Sequence, residues 1–365
     1  LRKEPYPLTG KLLLSEFRIE DNPHQVDTSI SVRERSPVKK SPIPIENFMV
    51  GINYPWINYG WDVGISPYDG RDIGGFSSRR YKLERDFALF KAKGIQVARV
   101  FLLADLRTGL VYDEDGKVSG LDKYVAADID ALVDVAAKNG IKLIPVLLDF
   151  TVADGMSELD LGFPFWRWKL GEAPQFIVNP DQRSIFKEKA LRPIILQIAR
   201  ANDRYPNLIY AVDIVNEVEH ALAIITPNYF KEVVAFIREV RDMIRSEAPG
   251  LQITLGSRNR DELVNFWGDL GLDIWQYHHY GKMTDEENRP LLSPAGDLGL
   301  EGPIIIGEVE PSDIEQTLDI TYTSGYDGAL FWSYSGLDGF VVDLDAIKRW
   351  VEKKTLAAGE QSDLK

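Results

Sequence analysis

The stretch Ile141-Lys142-Leu143-Ile144-Pro145-Val146-Leu147-Leu148 is apolar at nearly every position and is followed directly by an acid, Asp149. A strand with one wet face would alternate apolar and polar residues. Continuous apolarity instead fits a parallel strand covered on both faces. Two runs of the same kind precede it, Phe48–Asn53 and Ile95–Leu103. Five follow: Leu208–Asn216, Leu251–Gly256, Leu272–Tyr280, Pro303–Glu308 and Gly328–Trp332, which makes eight.

The segments between these runs carry helical periodicity. Leu83, Phe87 and Phe90 form one apolar stripe that ends at Lys93-Gly94. Val125, Ile129, Leu132, Val133 and Ala136 form a second, closed by Asn139-Gly140 in the manner of a left-handed C-terminal cap. Phe230, Val233, Val234, Ile237, Val240 and Ile244 form a third, begun by Thr226-Pro227 and stopped by Pro249-Gly250. Eight strand–helix alternations in one chain predict an α/β protein, a (β/α)8 TIM barrel. A doubly wound open sheet would carry a Gly-rich phosphate turn after its first strand. This chain has the aromatic loop Tyr54-Pro55-Trp56-Ile57-Asn58-Tyr59-Gly60-Trp61-Asp62 there.

Residues 1–46 are polar and rich in Pro and charge, and they read as an N-terminal extension packed on the barrel. Within it, Lys11 to Phe17 and Asp27 to Val32 are candidate short strands. The barrel is expected over residues 47–357, with a polar tail over 358–365. The longest insertion runs from about Thr151 to Arg183 and contains Phe163-Pro164-Phe165-Trp166-Arg167-Trp168. A loop of this length without periodicity is expected to be functional.

The 365 residues include no cysteine, and 42 basic against 56 acidic residues give a net charge of -14. Disulfides, thiol nucleophiles and zinc–thiolate sites are therefore excluded. The negative charge argues against nucleic acid as a partner. No apolar run approaches the roughly 18 residues of a membrane span. A secreted protein whose leader has been removed and a cytoplasmic protein are both compatible with this composition.

In a barrel the chemistry stands at the C-terminal ends of the strands. Those ends are Asn53, Arg99, Asp149, Asn216, Glu217, His278, Tyr280, Glu308 and Trp332. Glu217 closes the fourth strand and Glu308 the seventh. Either alone reads as a solvated loop residue or half of a structural ion pair. Together, with aromatic loops around them, they suit glycosidic cleavage, which needs one protonated and one ionised carboxyl. Glu219 and Glu310 lie two residues farther on, deeper in their loops. His278 and His279 are strand neighbours that face opposite ways, and only His24 and His220 remain, so a three-ligand metal site is not expected.

These residues resemble clan A of the glycoside hydrolases: Asn216-Glu217 ends strand four and Glu308 ends strand seven. Arg99, His278-His279-Tyr280 and Trp332 narrow the resemblance to family 5 or a near relative, over about residues 47 to 355. It implies a retaining β-glycosidase that needs no cofactor, with Glu217 as acid/base and Glu308 as nucleophile. Asn216 would hold the sugar 2-hydroxyl, while Tyr280 would donate to Glu308 and Arg99 would keep it ionised. His278 would line the neighbouring subsite and Trp332 would form the floor under the sugar. Asp149 stands where family 5 members often carry histidine. Apart from the resemblance, Trp166 and Trp168 of the long insertion, with Trp56 and Trp61 of the first loop, are expected either to wall the cleft or to pack as a lid over the barrel rim. Glu308 is thus expected to titrate low and Glu217 high. The substrate is expected to be a β-glucan or a β-mannan. The alternative is a carbohydrate-binding protein without turnover. A lyase or aldolase is disfavoured because Lys142 opens its strand instead of closing it.

Overall fold

The computed structural model describes residues 35–362 except 56, 58–60, 66–71, 105, 107, 115–116, 151, 153–174 and 221–229. The strands are β1 Met49–Asn53, β2 Val97–Phe101, β3 Leu110–Tyr112, β4 Val118–Leu121, β5 Lys142–Asp149, β6 Val212–Asn216, β7 Ile253–Ser257, β8 Trp275–His279, β9 Ile304–Val309 and β10 Gly328–Phe331. Eight of them close a parallel barrel in the order β1-β10-β9-β8-β7-β6-β5-β2. They are the eight runs read from the sequence, with ends shifted by up to four residues. The remaining pair, β3 and β4, is an antiparallel hairpin outside the barrel that the apolar pattern did not announce.

The covering helices bury the predicted stripes. Helix Val125–Asn139 buries Val125, Ile129, Leu132, Val133 and Ala136 and stops at Gly140, whose φ of 69° only glycine adopts readily. There the Ile141 N–H donates back to Ala136 O at 3.0 Å. Helix Phe230–Glu247 buries Val233, Phe236, Ile237, Val240 and Ile244. Its expected Thr226-Pro227 cap lies outside the described residues. Helix Leu344–Ser362 continues past residue 357, so the expected tail is helical over its first residues.

Inside the barrel, side chains stack in layers. Met49, Val97, Ile144, Ala211, Ile274, Ile305 and Leu330 form an apolar plug. Phe101, Val146 and Trp332 form another apolar group nearer the mouth. On β2, alternation points Val97, Arg99 and Phe101 the same way, which seats the Arg99 guanidinium between the two layers.

Residues 35–46 run along the barrel's underside. The Val38 N–H donates to Gly296 O at 2.9 Å, and the Tyr322 hydroxyl donates to Ile43 O at 3.0 Å. The candidate strands Lys11 to Phe17 and Asp27 to Val32 lie outside the described residues. Among the described residues no helix is long and apolar enough to cross a membrane.

Candidate active site

Strict alternation from the inward-pointing Asp213 and Ile305 would turn Asn216 and Glu308 away from the barrel axis. Both strands break step just below their carboxylates. The β6–β7 register shifts between Asp213 and Asn216, and the β8–β9 register shifts between Tyr277 and His278. Gly307 absorbs the extra residue on β9, so His278 is opposite Glu308. β6 ends at Asn216, and Glu217 takes φ 44°, a left-handed conformation that costs a non-glycine residue about 1 kcal/mol or more. The Glu217 N–H is pinned to Gly256 O at 2.7 Å. In this way Asn216 and Glu217 both reach the mouth.

Arg99 is 0% exposed and organises the floor. Nη1 donates to Glu308 Oε1 at 2.6 Å and to Asn53 Oδ1 at 3.0 Å, and Nη2 donates to Asn216 Oδ1 at 2.6 Å. Asp213, also fully buried, faces Nε at 3.0 Å and Nη2 at 2.9 Å. Burial works against the charge of Arg99, but Asp213 and Glu308 outweigh it and raise its pKa. There is room for the guanidinium because Gly256 lacks a side chain: a Cβ there would stand 2.7 Å from Arg99 Nη2.

The second oxygen of Glu308 accepts from the Tyr280 hydroxyl at 2.6 Å. Glu217 has an imidazole on each oxygen: His278 Nδ1 lies 2.6 Å from Oε1, and His220 Nε2 lies 3.2 Å from Oε2. One carboxylate oxygen each from Glu217 and Glu308, with a nitrogen of His278, lie within 4.8 Å of one another. A cation bound among these three would have to displace partners they already hold. Asn216 gives one N–H to Asp149 Oδ1 at 2.9 Å, which leaves the other for a sugar hydroxyl. Burial pushes the Asp149 carboxyl up to about 8.

The titration directions of the central pair differ from expectation. Burial raises Glu308, and the pull of His278 and Arg99 does not overcome it. Burial also presses on Glu217, yet His278 and His220 hold it below the usual carboxylate range. The reversal has a local cause: Glu217 is flanked by two imidazoles, while Glu308 faces the negative charge of Glu217 and shares its arginine with Asp213.

Trp332, 8% exposed, packs edge-on against Phe101 with ring centroids 6.0 Å apart, and its indole N–H donates to Asp338. Trp56, Trp166 and Trp168 lie outside the described residues. The described end of their insertion is helical, at Gln175–Val178 and Pro180–Phe186. Glu219 is buried away from the mouth, accepting from Ser257 Oγ at 2.6 Å and Trp267 Nε1 at 2.5 Å. Asp213 and His220 were not among the sequence candidates. A charged residue inside a strand buried on both faces is the signal that could have found Asp213.

No protein-family model matches the chain. A curated relative, the "Mannan endo-1,4-beta-mannosidase" of Mytilus edulis, is 22% identical over 331 residues, spanning 78% of this chain and 83% of the relative. The X-ray structure of β-mannanase from the same mussel is similar at TM-score 0.65 and 19% identity, covering 88% of this chain and 97% of that one. The endo-1,4-β-mannanase of Eisenia fetida gives TM-score 0.64 at 22% identity, covering 83% and 90%. By fold and by the residues gathered at its mouth, the chain is a (β/α)8 barrel that resembles the glycoside hydrolases of clan A, family 5.

Proposed function

We propose that this protein hydrolyses β-1,4-mannan by a retaining double displacement, with Glu308 as nucleophile and Glu217 as acid/base. The observation that carries the mechanism is the 4.8 Å limit on the separation of their oxygens. Retaining enzymes hold the two carboxyl groups about 5–5.5 Å apart, whereas inverting ones leave roughly 6.5–9.5 Å for a water molecule. The mannan assignment rests on the activity named for the relatives above.

In the first step a Glu308 oxygen attacks the anomeric carbon while Glu217 gives its proton to the departing glycosidic oxygen. In the second, Glu217 takes a proton from water as the water oxygen displaces Glu308. The Arg99 and Tyr280 donors to Glu308 favour the carboxylate form that attacks and later leaves. The remaining Asn216 N–H reaches for the 2-hydroxyl, and Trp332 offers an apolar face to the sugar.

The experiment is Glu308→Ala on an aryl β-mannoside, with and without azide. Loss of turnover, with rescue as the α-configured glycosyl azide, supports the nucleophile; undiminished turnover refutes it. Glu217→Ala should cost about 10²–10⁴-fold as a lost general acid, and less where the leaving group is good. Equal loss on all leaving groups contradicts the role. Reducing ends released from β-glucan and none from mannan would overturn the substrate.

A further inference from the structure

We propose that His220 is a positioning residue for the acid/base, gripping the second oxygen of Glu217 and sharing with it the proton that the leaving group takes. The inference deepens the retaining reading and rests on Glu217 as its acid/base. It begins from geometry. After the left-handed turn at Glu217, the His220 N–H donates to Glu217 O at 3.0 Å, which brings the imidazole back over the carboxylate. Nε2 stands 3.2 Å from Oε2, while His278 Nδ1 holds the other oxygen. The His220 ring lies on Phe150, just past the end of β5, with centroids 5.2 Å apart. Its side chain is 38% exposed, so this imidazole reaches water, whereas His278 is fully buried.

Among the described residues, the charged groups around His220 are few. Glu217 faces it directly, and Glu219 lies on the same turn. Arg258, just past the end of β7, approaches it and is itself paired with Glu262. His278, Glu308 and Asp149 interact with Glu217, the group that His220 holds. Burial works against a charged His220, but the Glu217 carboxylate outweighs it and raises its pKa.

A pair that shares one proton titrates as a pair. Its affinity for that proton is the sum of the affinities of the two sites, so removing one site can only lower it. The proton balance closes over the cycle. Glu217 passes the proton to the glycosidic oxygen in the first step and recovers one from water in the second. The Glu217–His220 pair therefore begins and ends with the same count. With His220 in place, the pair keeps its proton to a higher pH than Glu217 would alone. The alkaline limb of kcat/KM, which reports the free enzyme, belongs to the pair.

The test is the pH profile of kcat/KM on β-mannan or an aryl β-mannoside for the wild type, His220→Gln and His220→Ala. The expected result is an alkaline limb displaced to lower pH by about one unit or more in both variants. His220→Gln, which keeps an N–H to hold Oε2, should recover part of the kcat that His220→Ala loses. Limbs that coincide with the wild type, whatever the fall in kcat, overturn the proposal. A second measurement needs no turnover: imidazole NMR titration of the wild type and Glu217→Gln, with His220 assigned by its missing signal in His220→Gln. A fall in the His220 pKa in Glu217→Gln supports the shared proton, and an unchanged value overturns it. A wild type that releases no sugar from any β-glycan would sink the retaining reading, while the NMR titration would still decide the pairing.

Discussion

Asp213→Ala is expected to be among the most damaging single changes in the barrel, although Asp213 lies below the pair of glutamates. The Asp213 carboxylate faces the Arg99 guanidinium at 2.9 and 3.0 Å and also accepts from Gly256 N at 3.1 Å and Gln276 Nε2 at 2.8 Å. At an effective dielectric constant near 20, unit charges 2.9 Å apart attract by about 6 kcal/mol. Desolvation of both ions offsets much of that attraction. Removing one partner nevertheless leaves the other buried and uncompensated, at a cost of about 3–5 kcal/mol. With an unfolding entropy of about 2.1 cal/mol/K per residue over 365 residues, this loss lowers Tm by roughly 4–7 °C. Asp213→Asn keeps the shape and an acceptor, so it should lie between the variant and the wild type. In Asp213→Ala the guanidinium is left with one carboxylate, so Glu308 should ionise more readily and the acidic limb of kcat/KM should move to lower pH. Calorimetry at pH 7 and a pH–rate profile below the transition provide the check. A loss under about 1 kcal/mol, the scale of an exposed pair, would refute the reasoning.

Gly256→Ala places a Cβ 2.7 Å from Arg99 Nη2, 2.9 Å from Gln276 Nε2 and 3.1 Å from Asn216 Oδ1. Overpacking of this kind should cost about 1–3 kcal/mol and displace the groups that hold Glu308, and melting curves with steady-state kinetics check it. Tyr280→Phe removes the donor to Glu308 Oε2 and makes the carboxylate harder to form. The acidic limb of kcat/KM should rise and kcat should fall by about 10²-fold; an unmoved limb contradicts the contact. For Asp149, burial raises the folded-state pKa from 3.8 to about 8. The unfolded chain releases this proton near pH 4 while the folded chain keeps it, so stability declines as pH climbs from about 4 to about 8. Asp149→Asn lacks that slope and should gain on the wild type over the same window in urea denaturation; parallel curves would show the carboxyl ionised throughout.

The barrel strands were legible because burial on both faces leaves no polar positions, and that signal does not depend on the rest of the fold. The site was legible as a set of strand ends and much less so as a set of contacts. Alternation alone turns Asn216 and Glu308 outward. Only the register shifts on β6 and β9 bring them in, and a one-residue slip depends on what the neighbouring strands present. Asp213 sits inside an apolar run, where its charge is informative only once Arg99 is known to lie across the barrel. His220 gave no signal, because its place over Glu217 follows from a left-handed turn at a glutamate, which propensity does not foresee. The titration of the pair was misread for a related reason: the neighbours that set it come from β2, β6, β8 and the turn after β6.

The charges gathered at the mouth explain why the polar floor of this barrel extends below the two glutamates. Among the described residues, Glu217, Glu308 and Asp213 together offer three negative charges to one arginine, Arg99, in a space largely closed to water. Such a group resists full ionisation: Glu308 is raised above the usual carboxylate range, and His220 is raised beside Glu217. Double displacement requires a proton held close to the glycosidic oxygen yet given up within one turnover. Asp213 matters to the same balance from below. An arginine paired with Glu308 alone would stabilise the carboxylate further and make it a poorer nucleophile for the proposed displacement. An arginine divided between two acids keeps Glu308 oriented by Nη1 while leaving its basicity higher. The buried salt bridge of the floor and the reactivity of the strand-end carboxylate are thus set by the same guanidinium, and a change to either partner should be felt in both stability and pH–rate behaviour.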